Sequence, residues 1–290
     1  MAKKTDDRTI YPIDAKFISL IDDFKILSEM QIYHLMIGRF RAFHAETRVM
    51  FEDYCQHHPF WGSLNDEKKD YQVFKNRANA LYNHWVDLLW LYNELSDFRS
   101  RHILYALVNN WYYYDVNSLS TVREPLYPPY FDMEIFKCGS DEVFVDIGAS
   151  DGINVTKYIS TYNKYKRIYC YEKLPEKLNA LNEKFKNNRN VIVRDIMHAY
   201  IDEDIKEPVT FIKIDAEGLE LKALLGCARH IKNDKPKLAI SIHNNNENIW
   251  EIPRMLTKIC PEYKLYLRYH GKAFFPTDLT LLAILPPSTS

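Results

Sequence analysis

Apolar residues recur at three- and four-residue steps through the first part of the chain: Phe17, Leu20, Ile21, Phe24 and Leu27, then Tyr33, Met36, Ile37, Phe40 and Phe43. That spacing places one apolar face on a long helix, with Asp14 as its expected N-cap. His58-Pro59-Phe60-Trp61-Gly62-Ser63 interrupts the rhythm and reads as a loop. A second helix is predicted from near Asp66, with Tyr71, Phe74, Ala78, Leu81, Trp85, Leu88 and Tyr92 on one face. A third begins after a cap at Ser96 and carries Ile103, Leu104 and Leu107. Three prolines between Pro125 and Tyr130 make a natural link between the two halves of the chain.

From Glu142 the pattern changes to short apolar runs alternating with amphipathic stretches. Strands are predicted at Val143–Gly148, Arg167–Glu172, Asn190–Asp195, Thr210–Asp215, Lys237–His243, Tyr263–Tyr269 and Asp278–Leu285. Helices fall at Asn154–Thr161, Pro175–Lys186, Leu219–His230 and Ile252–Ile259. Such alternation calls for an α/β fold, a mostly parallel sheet with helices on both faces. The expected organisation is a helical region, 1–128, joined to a Rossmann-like sheet domain, 129–290.

The chain has 290 residues, 47% hydrophobic and 27% charged, enough to bury a core and unlike a disordered chain. A net charge of −1 gives no global field to draw in nucleic acid or an anionic membrane. The five cysteines form no CxxC pair and read as free thiols. The polar start carries no apolar leader, and runs such as Leu88 to Leu91 are too short to span a bilayer, so a cytoplasmic protein is expected. The helical region has more apolar and aromatic residues than a solvated arm needs. It is expected to pack on the sheet domain and on a second copy of itself, giving a homo-oligomer. The alternative is a cap over the acceptor site.

Candidate chemistry gathers at strand ends, where ligands sit in such folds. Asp146-Ile147-Gly148-Ala149-Ser150-Asp151-Gly152 closes the first strand and opens a helix. The G-x-G-x-x-G spacing is missing and no Gly-Lys-Ser/Thr is present after it, so it is neither a dinucleotide fingerprint nor a P-loop. Asp146 and Asp151 would repel a diphosphate but attract the amino group of a methionine moiety, which favours S-adenosylmethionine over NAD. Glu172 ends the second strand, twenty residues after Gly152, where an acid can accept both ribose hydroxyls. Asp195, ending the third strand, is within expected reach of an adenine amino group. Lys173 and Ile196 complete the candidate cofactor site.

Lys213-Ile214-Asp215-Ala216-Glu217-Gly218-Leu219-Glu220 closes the fourth strand. Lys213 and Asp215 break an otherwise apolar run, and charges in a core strand are costly unless paired. They are candidates for function, or for a structural ion pair. His243 ends the fifth strand, so Asp215, Glu217 and His243 would share a crevice. Methyl transfer to a hydroxyl needs the proton removed as the oxygen attacks, which suits His243, with Asp215 and Lys213 as further catalytic candidates. The same Asp215, Glu217 and His243 would equally offer ligands to a divalent metal that acidifies the hydroxyl. Glu217, Arg268 and His270 are candidate contacts to a polar or anionic acceptor.

The chain resembles the FkbM-type methyltransferases, class I Rossmann-like enzymes using S-adenosylmethionine. The matching pieces are EVFVDIGASDG (Glu142 to Gly152), RIYCYE, FIKIDAEGLELKALLG (Phe211 to Gly226), PKLAISIH, WEIP, YKLYLRYH and the lead-in YFDMEIF (Tyr130 to Phe136). Lys173 departs from the family's usual Glu-Pro after the second strand. The resemblance implies that the glycine turn and Glu172 hold the cofactor, that Asp215 and His243 face the acceptor, and that a sugar hydroxyl of a nucleotide-linked or surface-polysaccharide sugar is methylated in bacterial polysaccharide biosynthesis. A NAD-dependent sugar oxidoreductase or epimerase and a non-catalytic cofactor-binding scaffold are the alternatives.

Overall fold

The computed structural model describes residues 11–195, 201–271 and 275–286. The helical region comprises α1 (Pro12–Ile26), α2 (Glu29–Arg41), α3 (Ala45–His57), a 3-10 turn (Pro59–Trp61), α4 (Gln72–Glu94), α5 (Phe98–Tyr113) and α6 (Val116–Ser120). The long first helix expected from the apolar periodicity is two helices. Ser28 forms a capping box with Gln31, its hydroxyl accepting from Gln31 N while Gln31 Oε1 accepts from Ser28 N at 2.8 Å. Asp14 is not the N-cap of α1 but its N3 residue, reaching back to Tyr11 N at 2.7 Å. The cap of α5 is Asp97, not Ser96, through a hydrogen bond from Ser100 N at 2.7 Å.

The second part alternates as expected: β1 (Val143–Ile147), α7 (Ile153–Tyr162), β2 (Arg167–Glu172), α8 (Pro175–Phe185), β3 (Val191–Asp195), α9 (Ile201–Asp204), β4 (Phe211–Ile214), α10 (Glu220–Gly226), α11 (Ala228–Asn233), β5 (Lys237–Ser241), α12 (Asn248–Ile259), β6 (Lys264–Tyr269) and β7 (Leu279–Ile284). These strands form one seven-stranded sheet in the order β3-β2-β1-β4-β5-β7-β6. β1 through β5 run parallel, and β7 enters antiparallel between β5 and β6. The order reverses between β1 and β4, so the crevice beyond their carboxyl ends is where this architecture binds ligands.

The sheet is buried on both faces. One face carries Val145, Ile147, Ile212, Ile214, Leu238 and Ile240 and is continuous with the core of the helical region. The other carries Phe144, Ile168, Cys170 and Phe211, covered by Tyr130, Phe131, Phe136, Val155 and Tyr158. The helical region is joined to the sheet by more than apolar contact. Ser96 N donates to Leu265 O at 2.9 Å, and Arg254 pairs with Asp87 at 2.8 Å. Arg268 is almost fully buried on β6, with Nε on Asp132 at 2.6 Å and an Nη on Asp97 at 3.0 Å. The five cysteines are free thiols. Among the described residues no helix is long and apolar enough to cross a membrane.

Candidate functional site

The turn after β1 is shaped by its approach to the loop after β4. Gly148 has φ +77°, and a Cβ there would lie 1.8 Å from the Asp215 carbonyl oxygen, so only glycine fits. Gly148 and Ala149 donate their N–H groups to Tyr171 O at 2.9 and 3.0 Å, tying the turn to β2. Gly152 has a packing role. A Cβ there would meet Phe185 and Leu181 at 2.7 and 2.9 Å, so this glycine lets the start of α7 pack against α8.

Glu172 is buried, and its carboxylate clamps two loops. Oε2 accepts Ser150 N at 2.8 Å, and Oε1 accepts Lys173 N at 2.8 Å and Leu174 N at 3.0 Å. A carboxylate oxygen accepts two hydrogen bonds, so Oε2 retains capacity for a hydroxyl donor. Asp195 sits in register beside Glu172 at the end of β3. Ile196, also expected at the cofactor, lies outside the described residues.

Beneath the turn lies an ion pair with no solvent exposure on either side chain. Lys213 Nζ is 2.8 Å from Asp146 Oδ1 and donates to Gly148 O at 3.0 Å. The two residues are register partners on β1 and β4. Burial pushes the Asp146 carboxyl up from its ordinary value, and Lys213 pulls it back only in part. Asp146 is thus a buried support of the turn, and Lys213, expected among the catalytic groups, holds that support from below.

Asp215 comes directly after β4 and receives a hydrogen bond from Tyr130 OH at 2.9 Å. Tyr130 is held well above its ordinary pKa, first by burial and then by the Asp215 charge, so it stays a phenol and a donor. The loop itself is organised by Glu220, which is fully buried and, among the described residues, forms no ion pair. Its Oε1 accepts Ala216 N and Gly218 N, each at 3.0 Å, and Asn244 Nδ2 at 2.6 Å, while Oε2 accepts Asn248 Nδ2 at 2.9 Å. Four donors on one carboxylate offset its desolvation and hold Glu217 and Gly218 in positive φ.

These parts meet in one crevice of about 580 Å³, whose walls include Gly148, Ser150, Asp151, Glu172, Lys173, Asp215 and Glu217. Lys177 and Lys222, from the first turns of α8 and α10, add positive charge that no sequence motif assigns to the site. Tyr130 and Glu220 lie within the matching motifs, which give neither of them a role. The DAEGLE run holds the clue to Glu220, because an acid three residues past a turn often caps that turn's N–H groups.

His243 does not line that crevice. It lies beyond the end of β5, with Nδ1 3.0 Å from Ser241 Oγ and 3.5 Å from Leu279 O. With a proton on Nδ1 the ring would donate there and Nε2 would be left as the acceptor. Arg268 is a correction. Among the described residues four of its five N–H donors bond Asp97, Asp132, Ser100 Oγ and Leu267 O, so its main task is to fasten α5 and the lead-in to β6. His270 is set apart from the crevice as well, and burial lowers its pKa. Among the described residues no group of three or more His, Cys, Asp or Glu is arranged to hold a metal ion. Asp215, Glu217 and His243 therefore do not fit as a ligand set.

The sheet order and the crevice define a class I methyltransferase fold, and comparison agrees. The methyltransferase FkbM of Methylobacillus flagellatus KT superposes with a TM-score of 0.65 at 23% identity, over 83% of this chain and 71% of that one. A precorrin-6y C5,15-methyltransferase from Geobacter metallireducens GS-15 aligns at 16% identity over 51% of this chain and 80% of its own, TM-score 0.39. An O-methyltransferase from Bacillus cereus, solved with S-adenosylhomocysteine, aligns at 14% identity over 50% and 74%, TM-score 0.42. No curated protein matches the chain. Residues 182–272 match the family described as Methyltransferase FkbM domain. The fold is that of the FkbM methyltransferase, and the stretch from α8 to β6 carries the sequence signature of that domain.

Proposed function

We propose that the protein is an O-methyltransferase that transfers a methyl group from S-adenosylmethionine to a hydroxyl of a sugar. The observation that supports this most directly is the shared crevice, where the cofactor-side groups Gly148, Ser150 and Glu172 meet the acidic pair Asp215 and Glu217. The donor set fits the cofactor. Carboxylates suit an ammonium and a sulfonium, and Glu172 Oε2 has room for a ribose hydroxyl. When bound, the cofactor supplies an electrophilic methyl. The residues of this chain then have two tasks: Asp215, steadied by Tyr130, orients the acceptor hydroxyl and takes its proton, and Glu217 orients a neighbouring hydroxyl. The new carbon–oxygen bond forms as the carbon–sulfur bond breaks. His243 Nε2 is the second candidate for the proton.

Calorimetry with S-adenosylmethionine and with NAD, then turnover on a panel of nucleotide sugars with release of S-adenosylhomocysteine as readout, tests this reading. Binding of NAD alone, or turnover confined to acceptors that are not sugars, would overturn it. Glu172→Gln is expected to weaken cofactor binding by roughly 10- to 150-fold, since hydrogen bonds to a charged acceptor contribute roughly 1.5–3 kcal/mol and the amide loses the charge and one acceptor oxygen. An unchanged dissociation constant would remove Glu172 from the cofactor site.

A further inference from the structure

The 3-10 turn between α3 and α4 belongs to the helical region by sequence but lands on the methyltransferase sheet. Trp61 is buried, and its Nε1 donates to the backbone oxygen of His243 at 2.8 Å. Its own carbonyl accepts from Asn76 Nδ2 at 3.0 Å, and Gly62 N closes the turn on Pro59 O at 3.1 Å. Gly62 is confined by φ +107° and by Val73 N, 2.9 Å from where a Cβ would stand. His58 packs on Tyr54, ring centroids 4.3 Å apart, and its pKa is lowered by burial and then by His243. The turn is therefore fixed from both sides.

Between these anchors Phe60 is left 56% exposed. Its Cε1 stands 3.9 Å from where a Cβ of Gly218 would be, so one part of the ring lies against the acidic loop that carries Asp215 and Glu217. A large apolar ring held in water by a rigid turn, against the Gly218 backbone next to the crevice residue Glu217, suits a sugar: the flat C–H face of a pyranose, slightly positive, lies on the negative face of an aromatic ring, and the hydroxyls are left to reach acidic groups at the edge.

We propose that Phe60 is the stacking platform for the acceptor sugar, so that the helical region supplies one wall of the acceptor site. Trp61 is a positioning residue that fixes the platform relative to His243. The inference rests on the sugar O-methyltransferase reading above and adds the residue that recognises the acceptor.

The test uses the full chain and a sugar that the wild-type enzyme methylates, with release of S-adenosylhomocysteine as readout. Phe60→Ala is expected to raise KM for the sugar by about tenfold or more, the loss of one apolar ring contact. kcat should change by less than about threefold, since the contact is present before and during transfer alike. Cofactor affinity and melting temperature should match wild type. Phe60→Trp should retain the low KM, and Phe60→Leu should not, because leucine has no π-face. An unchanged KM in Phe60→Ala, equal KM values for Phe60→Leu and wild type, or a parallel loss of cofactor binding would each overturn the inference while leaving sugar methylation standing. Wild-type turnover on no sugar at all would overturn the functional reading, and this inference with it.

Discussion

Lys213→Met is expected to lower the unfolding free energy by about 3–5 kcal/mol, the range for removing one partner of a buried ion pair. The Asp146 carboxylate would be left without its cation in a site where neither side chain is exposed. Gly148 O would also lose its donor at 3.0 Å, loosening the turn that forms the crevice wall. The double variant Asp146→Leu/Lys213→Met is expected to regain most of the loss. Burial outweighs pairing at Asp146, which is the mark of a pair that is expensive to break but cheap to replace whole. Urea unfolding of the two variants and the wild type checks this, with the midpoint and slope both recorded. Equal destabilisation in single and double variants would show that the cost lies in packing, not in the orphaned charge.

The same pair marks the boundary of what a sequence reveals. Strand positions and the acidic turns are legible because each rests on local alternation and on glycine placement. Polar residues in buried strands signal that Lys213 and Asp146 need partners, but each strand shows only its own neighbours. Sequence proximity sets Lys213 against Asp215, two residues away, while its partner stands across β1 and β4 in register. Arg268 reads as an acceptor contact for the same reason, since Asp97 and Asp132 are remote in sequence. The break at Ser28 is visible as a capping box, yet the apolar period runs across it and hides the end of α1. Helix α3 escapes notice because it buries only Phe51 and Cys55, too few to mark a face. The His58-to-Ser63 segment is a break, as its composition says, but nothing local says that a break will land on His243.

Asp215→Asn is expected to lower kcat by about 10²–10⁴-fold, the usual worth of a positioned general base. The substitution is close in shape, and Tyr130 can still donate to the amide oxygen as it now donates to Oδ2 at 2.9 Å. Gly148 is held by the Asp215 backbone, which the substitution does not touch. Cofactor affinity should stay within a few-fold of wild type. His243→Gln provides the opposing measurement. His243 stands apart from the crevice walls, with Nδ1 near Ser241 and Leu279, so its loss should cost less than the loss of Asp215. Single-turnover rates at saturating cofactor and acceptor separate the two, because they report the chemical step free of product release. If Asp215→Asn turned over at near wild-type rate while His243→Gln lost two or more orders of magnitude, the proton would pass to the imidazole, and Asp215 would be a binding group whose hydrogen bond from Tyr130 serves only to shape the crevice.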